Sequence, residues 1–193
     1  MKHLLIILSI LFLFSSIFIS CSKKSTDNTT TSFGTKQLGT SSTDYGYSVT
    51  SDSSDNIYVT GYTFGGLDGN TSSGGRDIFL VKYNSSGTKQ WTKQLGSYNS
   101  KGYGSSNELG NVVTTDSSGN IYVTGWTDGD LDGNTSSGES DIFLVKYNSS
   151  GTKQWTKQMG TSSQDYGKGV TTDSSGNIYV TGWTVGGLDG NTS

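Results

Sequence analysis

The chain has 193 residues, with Lys+Arg 13 against Asp+Glu 16, a formal charge of −3 and 30% hydrophobic residues. Twenty-eight glycines, no proline, no alanine and a surplus of Ser, Thr, Asn, Tyr and Val argue against a helical protein. The mild acidity gives no drive towards nucleic acid or anionic lipid, and a single cysteine leaves no internal disulfide.

The N-terminus reads as an export signal. Met1-Lys2-His3 is a short basic start, and Leu4 to Ser20 follow without a charge. This pattern predicts a short hydrophobic helix over residues 1–20, below the ~20 apolar residues that a membrane span needs. His3 is the only histidine. Its removal with the signal leaves no Cys/His zinc site, no His-based triad and little general-base chemistry.

Phe18-Ile19-Ser20-Cys21 resembles a bacterial lipobox, departing from it at Phe18, where Leu is usual. The resemblance implies cleavage between Ser20 and Cys21, acylation of Cys21 (a palmitate-type anchor) and a place in the bacterial cell envelope, at the outer membrane or cell surface. The membrane is then a partner through the N-terminal lipid, since several acyl chains hold where one binds only marginally. An ordinary cleaved signal and an uncleaved anchor are the alternatives; Lys23 and Lys24 weigh against the anchor. Residues 21–32 carry no large apolar side chain before Phe33 and read as a flexible tether.

The body, residues 33–193, is one unit repeated. Asn-Ile-Tyr-Val-Thr-Gly begins at Asn56, Asn120 and Asn177, and the stretch Asp77 to Trp91 recurs unchanged at Asp141 to Trp155. Leu-Asp-Gly-Asn-Thr-Ser begins at Leu67, Leu131 and Leu188. The units are a partial one at 33–39, then 40–96, 97–160 and 161–193. A period of this size points to arrays or propellers.

Each period holds four strand-like runs, in the first copy Gly46–Asp52, Asn56–Tyr62, Asp77–Tyr83 and Thr88–Leu95. Asp-Ser-Ser-Asp/Gly and Asn-Ser-Ser-Gly supply tight turns, as antiparallel hairpins require. Ile78-Phe79-Leu80-Val81 is continuously apolar, so both faces should be buried. The fourth run is polar and lysine-bearing, which suits an outer edge that must resist pairing. A small sheet buried on both faces must be sandwiched between copies of itself, as propeller blades are.

The runs NIYVTGYT and DIFLVKYNSSGTKQW, with the Gln-Leu-Gly ending, resemble the SBBP (seven-bladed β-propeller) repeat of bacterial exported proteins. The resemblance covers about residues 33–193 and implies fold more than function. The expected class is all-β: a partial β-propeller of about 11 antiparallel strands in roughly two and three-quarter four-stranded blades. A closed propeller needs 4–8 blades. A truncated copy of a longer gene, a homo-oligomer completing the propeller, and an open array each account for the shortfall.

The Asp-rich loops are the candidates for chemistry. Asp128, Asp130 and Asp132, with Asn134, have the alternation of a calcium loop, whereas the other copies keep only Asp68 with Asn70 and Asp189 with Asn191. The plainer reading is an Asp-Gly-Asn turn. Tyr62, Trp126 and Trp183 occupy equivalent positions at the end of the second run and serve either blade packing or an aromatic platform for a flat ligand such as a sugar. Asp77 and Asp141 read as caps. No residue stands out as catalytic. The expected role is binding or display, with an extracellular protein or glycan as partner. The alternatives are a calcium-dependent carbohydrate-binding module, an enzyme domain completed by missing blades and a nonfunctional gene fragment.

Overall fold

The computed structural model describes residues 17–22, 32–97 and 106–191. Among them are twelve strands: β1 (Ile17–Ser22), β2 (Ser32–Leu38), β3 (Asp44–Ser51), β4 (Ile57–Thr63), β5 (Asp77–Tyr83), β6 (Lys89–Leu95), β7 (Glu108–Thr115), β8 (Ile121–Thr127), β9 (Asp141–Tyr147), β10 (Lys153–Met159), β11 (Asp165–Thr172) and β12 (Ile178–Thr184). The sheets run β3-β4-β5-β6, β7-β8-β9-β10, β11-β12 and β1-β2, all antiparallel. Two complete blades and half of a third are therefore present, as the repeat count implies.

The twelfth strand is β1, whose residues 17–20 the sequence assigned to the end of a helical export signal and 21–22 to a tether. Ile17 lies opposite Leu38, Phe18 opposite Gln37 and Ile19 opposite Lys36. In the first blade Ile78 lies opposite Leu95, Phe79 opposite Gln94 and Leu80 opposite Lys93. Residues 17–20 thus fill the third-strand slot beside a fourth-type strand, in the register of the repeat. Aromatic and β-branched residues suit that slot. Cys21, Ser22 and Ser32 stand in strands rather than in a tether. The rest of the expected signal, 1–16, and of the tether, 23–31, lies outside the described residues.

The core is a set of seams between sheets. In β4 and β5 nearly every side chain is buried, because successive residues face opposite neighbours. Tyr58, Ile78 and Leu80 join Val113, Ile121, Val123, Phe143 and Val145 of the second blade. From the other face Ile57, Val59, Phe79, Val81 and Tyr83 meet Leu38 of β2. The next seam gathers Tyr122, Leu144 and Val170. Each fully buried Leu, Ile or Phe contributes about 1.5–3 kcal/mol. Where no blade lies alongside among the described residues, apolar side chains stand open: Val49 is 62% exposed and Tyr179 54%.

The inner strands β3, β7 and β11 each carry a register shift, between Gly46 and Ser48, Gly110 and Val112, and Gly167 and Gly169. The partner strand accommodates the bulge with a glycine. A Cβ on Gly125 would stand 1.7 Å from the Leu109 carbonyl oxygen, so no other residue fits there without a backbone shift.

Candidate functional site

The loops at the blade ends are fixed from within. In the second blade Asp116 Oδ1 accepts hydrogen bonds from the amides of Ser118 and Asn120, both at 2.9 Å. Its Oδ2 accepts from Asn120 Nδ2 (2.8 Å) and the Tyr122 hydroxyl (2.9 Å). Burial alone would push the Asp116 carboxyl up, but these four donors outweigh it and hold it below its ordinary value. Asp52 and Asp173 repeat the arrangement. These carboxylates are hairpin locks.

The four members of the expected calcium loop point to four different partners. Asp128 accepts from the Asn107 amide (2.6 Å) and Asn107 Nδ2 (3.0 Å). Asp130 accepts from the Ser136 amide at 2.8 Å. Asp132, at φ 56°, is paired with Lys153 and also bonds Thr156 at 2.6 Å. Asn134 Nδ2 donates to the Leu131 carbonyl at 2.8 Å. Asp68 and Asn70 do the same in the first blade, with Lys89 and Thr92 as partners of Asp68. The loop folds as a turn pinned to the outer strand, and its oxygens do not converge.

The three equivalent aromatic positions fare differently. Tyr62 is buried beneath Tyr45 and Phe64, with the Arg76 guanidinium 4.9 Å above its ring. Trp126 and Trp183 are brought together through Tyr166, whose ring lies 5.2 Å from the first and 4.7 Å from the second. The Tyr166–Trp183 pair is stacked, and Trp183 is 43% exposed. Ser20 and Cys21 lie in β1, at the edge of the two-stranded sheet.

Two features escaped the sequence reading. Gln158 Nε2 donates to Asp141 Oδ2 (2.8 Å) and to the Gly129 carbonyl (2.9 Å), while its Oε1 accepts the Leu131 amide (3.0 Å). Gln94 makes the same three bonds in the first blade. These clamps hold the long loop against the fourth strand. The second feature is Glu108, fully buried at the start of β7. Its Oε1 accepts from Ser97 (2.6 Å) and Thr127 (3.0 Å). Burial pushes its carboxyl up to about 7, against the opposing pull of the Ser97, Ser106 and Thr127 hydroxyls.

The SBBP β-propeller repeat matches residues 34–68, 90–132 and 154–189, more than half of the chain and in phase with the sheets. The chain belongs to the SBBP β-propeller repeat family. As in the sequence, the matched units carry the second-strand, loop and fourth-strand patterns. An uncharacterised WD repeat-containing protein of Acanthamoeba polyphaga mimivirus is similar at 27% identity over 189 residues, covering 78% of this chain. The matched part is 13% of that relative's length. No helix among the described residues is long and apolar enough to cross a membrane.

Proposed function

We propose that this SBBP-repeat chain is a lipid-anchored protein of the bacterial cell envelope that acts in binding or display rather than catalysis. The observation that carries the binding role is the stacked Tyr166–Trp183 pair, with Trp183 open on one side. An exposed aromatic face on a rigid sheet suits a flat, polar ligand such as a sugar ring or an aromatic side chain of a partner protein. The Asp116-type carboxylates are already engaged by four donors each, and Asp68 and Asp132 by lysine. That supports a structural role for them over acid–base chemistry. The anchor rests on Ser20-Cys21 following an uncharged run, and cleavage between them removes Ile17 to Ser20 from β1.

Two experiments test the reading. Labelled palmitate should enter the wild type and not Cys21→Ser; equal labelling removes the anchor. Glycan-array and envelope-protein binding should fall at least tenfold in Trp183→Ala with unfolding unchanged, about 1.4 kcal/mol or more of contact energy. Undiminished binding removes the aromatic platform.

A further inference from the structure

The seam between the second and third blades contains two buried carboxylates with no cation beside them. Asp141 and Asp165 open β9 and β11, and both are fully buried. The backbone brings them together, since the Asp165 amide donates to the Ser140 carbonyl at 2.8 Å. Each carboxylate uses only one oxygen. Asp141 Oδ2 accepts from the Ser137 amide (2.7 Å) and Gln158 Nε2 (2.8 Å). Asp165 Oδ2 accepts from the Thr161 amide (2.6 Å) and hydroxyl (3.0 Å). Asp141 Oδ1 and Asp165 Oδ1 are buried without a hydrogen-bond partner.

Gly160 shows where the unused oxygen points. A Cβ on that residue would stand 2.0 Å from Asp141 Oδ1 and 3.0 Å from Asp165 Oδ2. Both carboxyl groups therefore close on the glycine at 160, Asp141 with its unpartnered oxygen and Asp165 with the oxygen held by Thr161. The ion pairs among the described residues are Lys89–Asp68 and Lys153–Asp132, neither of which reaches this seam. Buried charges are stable when paired or when they coordinate a metal.

We propose that Asp141 and Asp165 bind a hard divalent cation of the Ca2+ type in this seam. Two carboxylates match its charge and its preference for oxygen, and its flexible coordination number lets carbonyls and solvent complete the shell. Mg2+ fits less well, because it demands near-ideal octahedral geometry. No group of three or more His, Cys, Asp or Glu gathers among the described residues. With two carboxylates the affinity belongs in the range of weak extracellular sites, on the order of 10⁻⁴–10⁻³ M. The ion would fasten the third blade to the second. The site is separate from the Asp128–Asn134 turn. In the first seam Asp77 and Glu108 open the corresponding strands; Asp77 Oδ1 and Glu108 Oε2 are likewise buried without a hydrogen-bond partner, and Glu108 Oε1 takes up the Ser97 and Thr127 hydroxyls.

The test uses the full chain. Tb3+ luminescence should show saturable binding that Ca2+ displaces, and about 10 mM Ca2+ should raise the melting temperature by several degrees. Asp141→Asn and Gly160→Ala should each abolish both responses, the latter because its methyl would stand 2.0 Å from Asp141 Oδ1 and displace that carboxylate. Asp130→Asn with Asp132→Asn should leave them intact. Should Asp141→Asn fail to fold, Gly160→Ala and the wild-type titration carry the test. Absence of saturable wild-type binding overturns the proposal, as does a response lost in the loop variant but kept in Gly160→Ala. A melting temperature that ignores Ca2+ also overturns it.

Discussion

Asp116 and Glu108 lie eight residues apart and respond to pH in opposite directions. Four donors hold Asp116 below its model-peptide value of 3.8, so its stabilisation is present above that pH and is lost as pH falls through the lower folded value. Removing the carboxylate leaves four donors short of an acceptor. Asp116→Ala should cost about 2–3 kcal/mol in urea unfolding at neutral pH, with the difference from wild type shrinking in acid. Glu108 is raised from 4.5 to about 7, so the folded state favours the protonated form. Its contribution is whole below pH 4.5 and is lost as pH rises through about 7, a swing of about 3 kcal/mol. In Glu108→Gln that decline between pH 4.5 and 7 should disappear. The Asp-Ser-Ser-Gly turn was legible in the sequence, because its bonds span two to six residues. The Glu108 pocket was not, because a polar residue opening a strand looks exposed until the fold covers it.

Strand β1 shows how an element's setting can override its apparent type. Residues 17–20 read as the end of a hydrophobic helix and 21–22 as the start of a tether, yet they pair with β2 in the register of β5 with β6. Periodicity could not distinguish the two, since a short apolar run suits either a helix or a buried strand. Without residues 1–20 the amides of Thr35 to Leu38 lose that partner. Hydrogen exchange in this segment should then accelerate while the amides of Ile78–Val81 stay protected; unchanged exchange would show that β1 does not pair there. The remaining strands were legible from alternation and turns, with boundaries shifted by one or two residues, as at β3, which opens at Asp44. The Gln158 clamp was invisible because its contacts to the loop span 27 and 29 residues. Gln158→Ala should free the loop, raising exchange at Leu131, and destabilise the second blade by about 1–3 kcal/mol.

At the scale of the molecule, the sheets press face against face. The sequence disclosed this through Ile78-Phe79-Leu80-Val81, whose unbroken apolar run needs cover on both sides. It could not disclose how closely the blades approach, since closeness depends on the twist of two sheets and not on any local pattern. Gly110 measures that distance. On β7, a Cβ at this position would stand 2.5 Å from Thr60 Oγ1 and 3.1 Å from Ile78 Cγ2 of the first blade. In a strand with open space alongside, Gly→Ala is stabilising by roughly 0.5–1 kcal/mol, because it restricts the unfolded chain. Against a stacked blade the same methyl overpacks the seam and costs about 1–3 kcal/mol. The sign of the Gly110→Ala change in urea unfolding is therefore the most direct test of stacking. A lower midpoint is the predicted result, and an equal or higher midpoint would contradict it.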